Sequence, residues 1–296
     1  MIAVSGATGL IGSALVQRLR AQGHTVRRLV RGRDDPQAGD IAWDPAHDRL
    51  DPAALEGCDA IVHLAGAPIA QRWTDAHKRD IRESRTQSTS LLARTVAAMA
   101  TKPEVVLSGS AIGYYGSRGD EILDEHSVPG SDFLAGVVQA WESAAMPIAD
   151  LGVRLVLLRT GIVLSAHGGA LAKMLPPFRL GIAGPLGGGA QWMSWIALDD
   201  HVRAMEHALA TNTVHGAVNL VTPNPVTNAE FTTTLGRVLH RPAIIPVPAF
   251  ALELLYGEMA DATILAGQRV RPHALSASAF QWTEPTLEGA LRAALQ

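Results

Sequence analysis

Ile2-Ala3-Val4-Ser5-Gly6-Ala7-Thr8-Gly9-Leu10-Ile11-Gly12 joins the first apolar run of the chain to an amphipathic stretch through three glycines spaced three residues apart. A strand over Ile2–Val4 and a helix over Ile11–Gln22 are expected on either side. Ile11, Ala14, Leu15, Val16 and Leu19 recur at helical spacing until Gly23 stops the pattern. Strand, glycine turn and helix start in that order aim unpaired amides and a positive dipole end at a pyrophosphate. Gly6, Thr8, Gly9, Leu10, Ile11 and Gly12 are therefore candidate cofactor contacts.

The second strand, expected at Thr25–Val30, indicates which dinucleotide. An NAD site places a carboxylate at the end of this strand, roughly 20 residues on, to bind the ribose hydroxyls. Here the segment is Leu29-Val30-Arg31-Gly32-Arg33, with no acid. A guanidinium at Arg31 suits bidentate contact with a 2′-phosphate, which favours NADP(H). Arg27 and Arg28 lie too early on the strand and are assigned to a solvated basic cluster.

Strand and helix patterns go on alternating: strands at Ile41–Trp43, Ala60–Leu64, Val105–Ser108 and Arg154–Leu158, with helices within Asp75–Ala100 and Phe133–Leu151. The expected fold class is α/β, a doubly wound parallel sheet (Rossmann fold) with a smaller C-terminal substrate lobe. After Leu164, glycines and prolines crowd the chain to Gly189, as in loops that cover a site. Residues 1–164 plus roughly 190–222 are assigned to the dinucleotide-binding domain, with Val218–Val221 as a last strand. Residues 165–189 and 223–296 are assigned to a substrate-capping lobe. Asn228–Leu239 should be a helix capped by Thr227 or Asn228, Ala249–Val270 mostly helical, and Pro285 the start of a terminal helix.

Composition narrows the partners. The 296 residues are 47% hydrophobic and 18% charged, with a net charge of -3. That balance gives no electrostatic footprint for nucleic acid, and no basic amphipathic face suits a membrane. A small-molecule substrate is the expected partner. The chain opens directly on its first strand, and the apolar run Val153–Ala166 is interrupted by Arg154 and Arg159. A cytoplasmic location follows as the expectation. Cys58, the single cysteine, excludes an internal disulfide and suits a buried thiol.

The glycine spacing G-x-x-G-x-x-G, His63-Leu64-Ala65-Gly66, Ser84-Arg85, Ser108 through Gly116, Asp132-Phe133-Leu134, Trp141-Glu142 and Arg159-Thr160-Gly161 together resemble the extended and atypical short-chain dehydrogenases/reductases. Gly168-Gly169-Ala170, Gln191 through Ile196, Asn228 through Phe231 and Gly267-Gln268-Arg269-Val270 narrow the resemblance to the epimerase family that carries a C-terminal domain of unknown function. The resemblance spans nearly the whole chain. It implies that Leu64, Ala65 and Gly66 border the adenine ribose and phosphates, that Arg31 is the second-strand arginine, and that Arg85, Asp80 and Ser108 join the cofactor set.

The usual acid/base machinery of that superfamily is a tyrosine and a lysine four residues apart on one helix, with a serine from the preceding strand. Leu134 and Val138 stand at those helix positions. Ser110, Tyr114 and Tyr115 are the remaining catalytic candidates. Asp199, Asp200, His201 and His207 are read as a helix start rather than a metal site, because the histidines fall six apart, on different helix sides. The expected activity is NADP(H)-dependent oxidoreduction of a small carbonyl or sugar-like compound. Beside it stand a catalytically silent NADP(H)-binding regulator and a nucleotide-sugar epimerase.

Overall fold

The computed structural model describes residues 1–32 and 39–296; Arg33, the last residue of the second-strand segment quoted above, lies outside the described residues. Seven strands form one parallel sheet, running in space Gly216–Leu220, Arg154–Thr160, Val105–Ala111, Ala60–His63, Ile2–Ser5, Val26–Val30 and Asp40–Ala42. Chain order reverses direction between Ile2–Ser5 and Ala60–His63, which opens a crevice at the carboxyl ends of those two strands.

Period-two alternation explains why both faces are covered. Ile2 and Val4 join Val62, Leu107 and Val156 on one face, whereas Ala3 joins Ile61, Val106 and Leu155 on the other. The first face packs against the helices Leu10–Ala21 and Leu198–Ala210 through Leu15, Leu19, Val202 and Met205. The second packs against Asp75–Ala98 through Leu91, Leu92 and Val96, and against Phe133–Asp150 through Ala145 and Ile148.

The remaining chain forms a third core around Leu164, Leu171, Phe178, Trp195, Phe231 and Leu291. It includes the short parallel pair Ile162–Leu164 with Trp195–Ala197 and the helices Gly169–Arg179, Asn228–Leu239 and Leu287–Ala294. This lobe is woven into the sheet domain. Leu275 and Phe280 of the tail pack on the sheet core, and buried Asp200 accepts hydrogen bonds from Thr283 N at 2.8 Å and Glu284 N at 2.9 Å.

Several local expectations are corrected. Asp200 anchors the tail and Asp199 pairs with Arg18, so neither caps its own helix, which begins after Ala197 without a side-chain cap. Pro285 precedes the cap of the terminal helix, Thr286, whose hydroxyl accepts from Gly289 N. Within Ala249–Val270 the helix ends at Tyr256; a π-helical turn, Ala260–Ile264, and a strand, Arg269–Val270, follow. Arg28 is held bidentately by Asp40 and Arg27 donates to Ala54 O, so both are tied into the sheet edge rather than merely solvated.

Candidate cofactor and substrate site

The glycine turn is built by exclusion. Gly6 has φ +66°, and a Cβ there would meet Leu64 C at 2.8 Å. A Cβ on Gly12 would lie 2.2 Å from Gly6 O, so only glycine lets the Leu10–Ala21 helix approach the strand this closely. That helix has neither a side-chain N-cap nor a carboxylate in its first turn, which leaves its amino end suited to an anion. A Cβ added to Gly168 would stand 3.5 Å from Leu10 Cδ1, so the Leu10 side chain lies beside the start of the lobe helix Gly169–Arg179.

Beside this turn, a network of buried side chains positions Leu64-Ala65-Gly66. Leu64 N donates to Ser5 Oγ at 3.1 Å, Ser5 Oγ is bonded to His63 Nδ1 at 2.7 Å, and His63 Nε2 meets Thr89 Oγ1 at 3.1 Å. Arg85 completes it from the long helix, donating to Ala67 O at 3.1 Å and Ile81 O at 2.9 Å, with its guanidinium 5.1 Å from the Trp141 ring. Burial lowers the Arg85 pKa to about 10, with Asp80 partly opposing. Asp80 itself is exposed. Ser108 Oγ, by contrast, is buried with no hydrogen-bond partner among the described residues, a group that a bound molecule would satisfy.

At the outer sheet edge, Arg31, Gly32, Trp43, Arg49 and Asp51 line a cavity of about 460 Å3. Its carboxylates are engaged: Asp44 holds His47, which lowers the Asp44 pKa, and Asp51 accepts from Ala53 N. Arg31 and Arg49 form no ion pair among the described residues, which leaves two exposed cations facing a shared cavity. Arg49 was not legible beforehand, because only the strand Asp40–Ala42 and its turn bring it beside Arg31.

The three catalytic candidates separate sharply. Ser110 Oγ donates to Glu142 Oε1 at 2.6 Å, and both are buried. The Tyr115 hydroxyl donates to Asn219 Oδ1 at 2.7 Å and accepts from Arg159 Nη1 at 3.0 Å; burial pushes its pKa up to about 12, against the nearby Arg159. Both hydroxyls are committed to one buried network, whose centre is the Arg159–Glu142 pair with bonds of 2.8 and 2.9 Å. Tyr114 alone is half-buried, its ring 3.4 Å from the Arg159 guanidinium carbon. Leu134 and Val138 lie beside Gly113, where an added Cβ would stand 3.7 and 4.0 Å from them. The signal for this network was a charged residue, Arg159, inside an apolar strand, since buried arginine demands a partner.

His63 and His201 are fully buried, and burial lowers their pKa values to about 4 and about 3. His201 Nε2 bonds Thr160 Oγ1 and His207 Nε2 bonds Ser278 Oγ, so the two imidazoles serve different elements. Among the described residues no group of three or more His, Cys, Asp or Glu could hold a metal, and no helix is long and apolar enough to cross a membrane. Because the unfolded histidines titrate near 6.5, the unfolded chain binds more protons than the folded one below that pH. Stability is therefore full above about pH 6.5 and falls as acid is added. At pH 5 each histidine should cost roughly 2 kcal/mol relative to pH 7.5. Urea midpoints at the two pH values test this, and substituting Gln at either position should flatten the slope.

The crevice at the strand-order reversal, the glycine turn against its helix, and the Leu64–Gly66 segment define a dinucleotide-binding Rossmann protein of short-chain dehydrogenase/reductase type. The chain belongs to the NAD dependent epimerase/dehydratase family, whose model matches residues 2–220, and a domain of unknown function, DUF1731, matches residues 247–294. An epimerase family protein of Mycobacterium tuberculosis is 44% identical over 292 residues, covering 98% of this chain and 96% of that protein. Human epimerase family protein SDR39U1, crystallised with NADPH, superposes with a TM-score of 0.90 at 37% identity, covering 99% of this chain and 98% of the other. A Corynebacterium glutamicum structure described as a nucleoside-diphosphate sugar epimerase superposes with a TM-score of 0.79 at 38% identity, over 98% of this chain and 57% of the other.

Proposed function

We propose that this protein binds NADP(H) along the carboxyl edge of its sheet and uses it for oxidoreduction of a small carbonyl or sugar-like compound admitted beneath residues 165–189 and 223–296. The observation that carries the reading is the pair Arg31 and Arg49, two cations that form no ion pair among the described residues and line one cavity where an NAD site would present a carboxylate. The NADPH held by human SDR39U1 supports it. Hydride chemistry is what such a cofactor supplies when bound.

This chain's own residues have distinct tasks in that reading. The Gly6–Gly12 turn and the following helix bind the pyrophosphate, Arg31 and Arg49 hold the 2′-phosphate, and Arg85 fixes the backbone after Gly66. Of the three candidate hydroxyls, only that of Tyr114 has no acceptor among the described residues, and the buried Arg159 guanidinium orients its ring. A silent, cofactor-sensing role is the second reading, favoured by Leu134 and Val138 in place of a proton-transfer dyad.

Titration with NADPH and NADH tests the cofactor assignment. Arg31→Ala should weaken NADPH roughly 10- to 100-fold, the loss of one charge-assisted phosphate contact, and NADH less than about threefold. Equal losses for both would reject the 2′-phosphate role. A carbonyl-compound screen for NADPH oxidation then separates the two readings: turnover that falls in Tyr114→Phe supports the enzyme, and binding without turnover supports the sensor.

A further inference from the structure

Most of the large apolar side chains that this protein leaves in water lie together. Of the twelve exposed among the described residues, eight fall in two segments, 180–182 and 244–256. Leu180, Ile244, Phe250 and Leu254 are 73%, 80%, 70% and 76% exposed, and Ile182, Ile245, Leu255 and Tyr256 join them. The segments are neighbours in the fold: Ile245 N donates to Ala183 O at 3.1 Å, Val247 N to Pro185 O at 2.9 Å, and Gly187 N to Val247 O at 2.8 Å. The helix Ala249–Tyr256 follows at once, with Leu252 buried and Phe250 and Leu254, four residues apart, turned away from it.

Neither 180–190 nor 242–252 contains Asp, Glu, Lys or Arg. At roughly 200 Å2 for a fully exposed large side chain, the eight present about 1,000 Å2 of surface. The largest apolar patch of a soluble monomer is about 300–600 Å2, and a stable interface takes about 800 Å2 from each partner. The area therefore matches one side of a protein interface.

The charges at its rim select the partner. Arg179 and Arg241 stand immediately before the two uncharged segments, which meet where a Cβ on Gly181 would lie 3.4 Å from Pro242 Cγ. Glu253 and Asp261 stand beyond the other end. All four are exposed, and none forms an ion pair among the described residues. A face with cations at one end and carboxylates at the other is complementary to itself, because a two-fold axis sets each end against the opposite end of a second copy. An anionic lipid surface would instead meet Glu253 and Asp261 as like charges.

We propose that residues 180–182 and 244–256 form the two-fold interface of a homodimer, with Arg179 and Arg241 facing Glu253 and Asp261 of the partner subunit. The face is carried on an anchored element, since Arg72 Nη1–H donates to Leu254 O at 3.0 Å and Lys78 Nζ to Glu258 Oε1 at 2.7 Å. Little ordering is then needed on association.

Analytical ultracentrifugation of the full chain from about 0.1 to 100 μM tests it, with a dimer of micromolar Kd or tighter as the expected result. Leu254→Glu and Phe250→Glu should each weaken that dimer at least roughly 100-fold. Both side chains are exposed in the monomer, so urea midpoints taken at a monomeric concentration should stay at the wild-type value. Arg179→Glu with Arg241→Glu should weaken association, as should Glu253→Arg with Asp261→Arg, and an equimolar mixture of the two double variants should recover it as heterodimer. Met146→Glu, at an exposed apolar position on the helix Phe133–Asp150, is the control and should leave the dimer intact. A wild-type chain that stays monomeric at the highest concentration overturns the proposal. So does a dimer that survives Leu254→Glu and Phe250→Glu or breaks in Met146→Glu, and so does a mixture of the charge variants that fails to associate. A monomer that co-sediments with vesicles of anionic phospholipid would give the face to a membrane and overturn it as well.

Discussion

Gly12→Ala should abolish measurable dinucleotide binding and destabilise the fold, the largest effect expected from a single methyl group in the glycine turn. The added carbon would stand 2.2 Å from Gly6 O and 2.9 Å from Ala7 Cα, both backbone atoms that cannot rotate away. Relief requires the Leu10–Ala21 helix to slide off the first strand, which shifts its amino end away from the phosphate position and opens the contacts of Leu15 and Leu19. Overpacking of this kind costs about 1–3 kcal/mol or more in stability. Loss of the helix-end geometry should weaken NADPH at least roughly 100-fold. Gly136→Ala is the matched control, because a Cβ there meets only the tip of Arg82 at 3.7 Å within the Phe133–Asp150 helix. It should be neutral or stabilising by up to about 1 kcal/mol. Wild-type affinity and stability in Gly12→Ala would show that the turn relaxes without the helix.

Glu142→Gln should cost about 3–5 kcal/mol, the loss expected when one partner of a buried ion pair is removed. Arg159 and Glu142 keep only 5% and 10% side-chain exposure, so solvent cannot replace the lost charge. Burial opposes the guanidinium charge, and Glu142 and Tyr115 together more than offset that, holding its pKa above the ordinary value. An amide at position 142 would leave one bidentate arm facing a donor and disturb Ser110 and Tyr115 together. Adding Arg159→Met should recover part of the loss, since a buried cation without its partner is worse than neither. Denaturant unfolding of the single and double variants measures this. A loss under about 1 kcal/mol for Glu142→Gln would mean that water reaches the pair.

The parallel sheet was legible because its signals are local and redundant. Apolar runs such as Ile61-Val62 and Val105-Val106-Leu107 have no alternative to burial on two faces, and helices alternate between them. The helix Asn228–Leu239 was legible with its cap narrowed to Thr227 or Asn228; the structure gives Thr227, with Glu230 closing a capping box. Legibility failed where an end depends on a distant partner. Asp200 looks like a helix cap until the tail residues Thr283 and Glu284 claim its oxygens, and Arg269–Val270 reads as helix until Ile122–Leu123 offers it a strand edge.

The candidate site divides in the same way. The glycine turn could be recognised because steric exclusion acts within seven residues, and Arg31 because a strand end lies at a set distance from that turn. Ser110, Tyr114 and Tyr115 were indistinguishable as three hydroxyls near one strand end. Their fates depend on Glu142, Arg159 and Asn219, which arrive from 32, 44 and 104 residues further along the chain. By itself, the sequence determined the doubly wound sheet and the phosphate turn, since backbone sterics and apolar periodicity act between near neighbours. Only the tertiary structure decided which cations find a partner among the described residues and which hydroxyls are spent, because a charge acquires or loses its partner when remote segments meet.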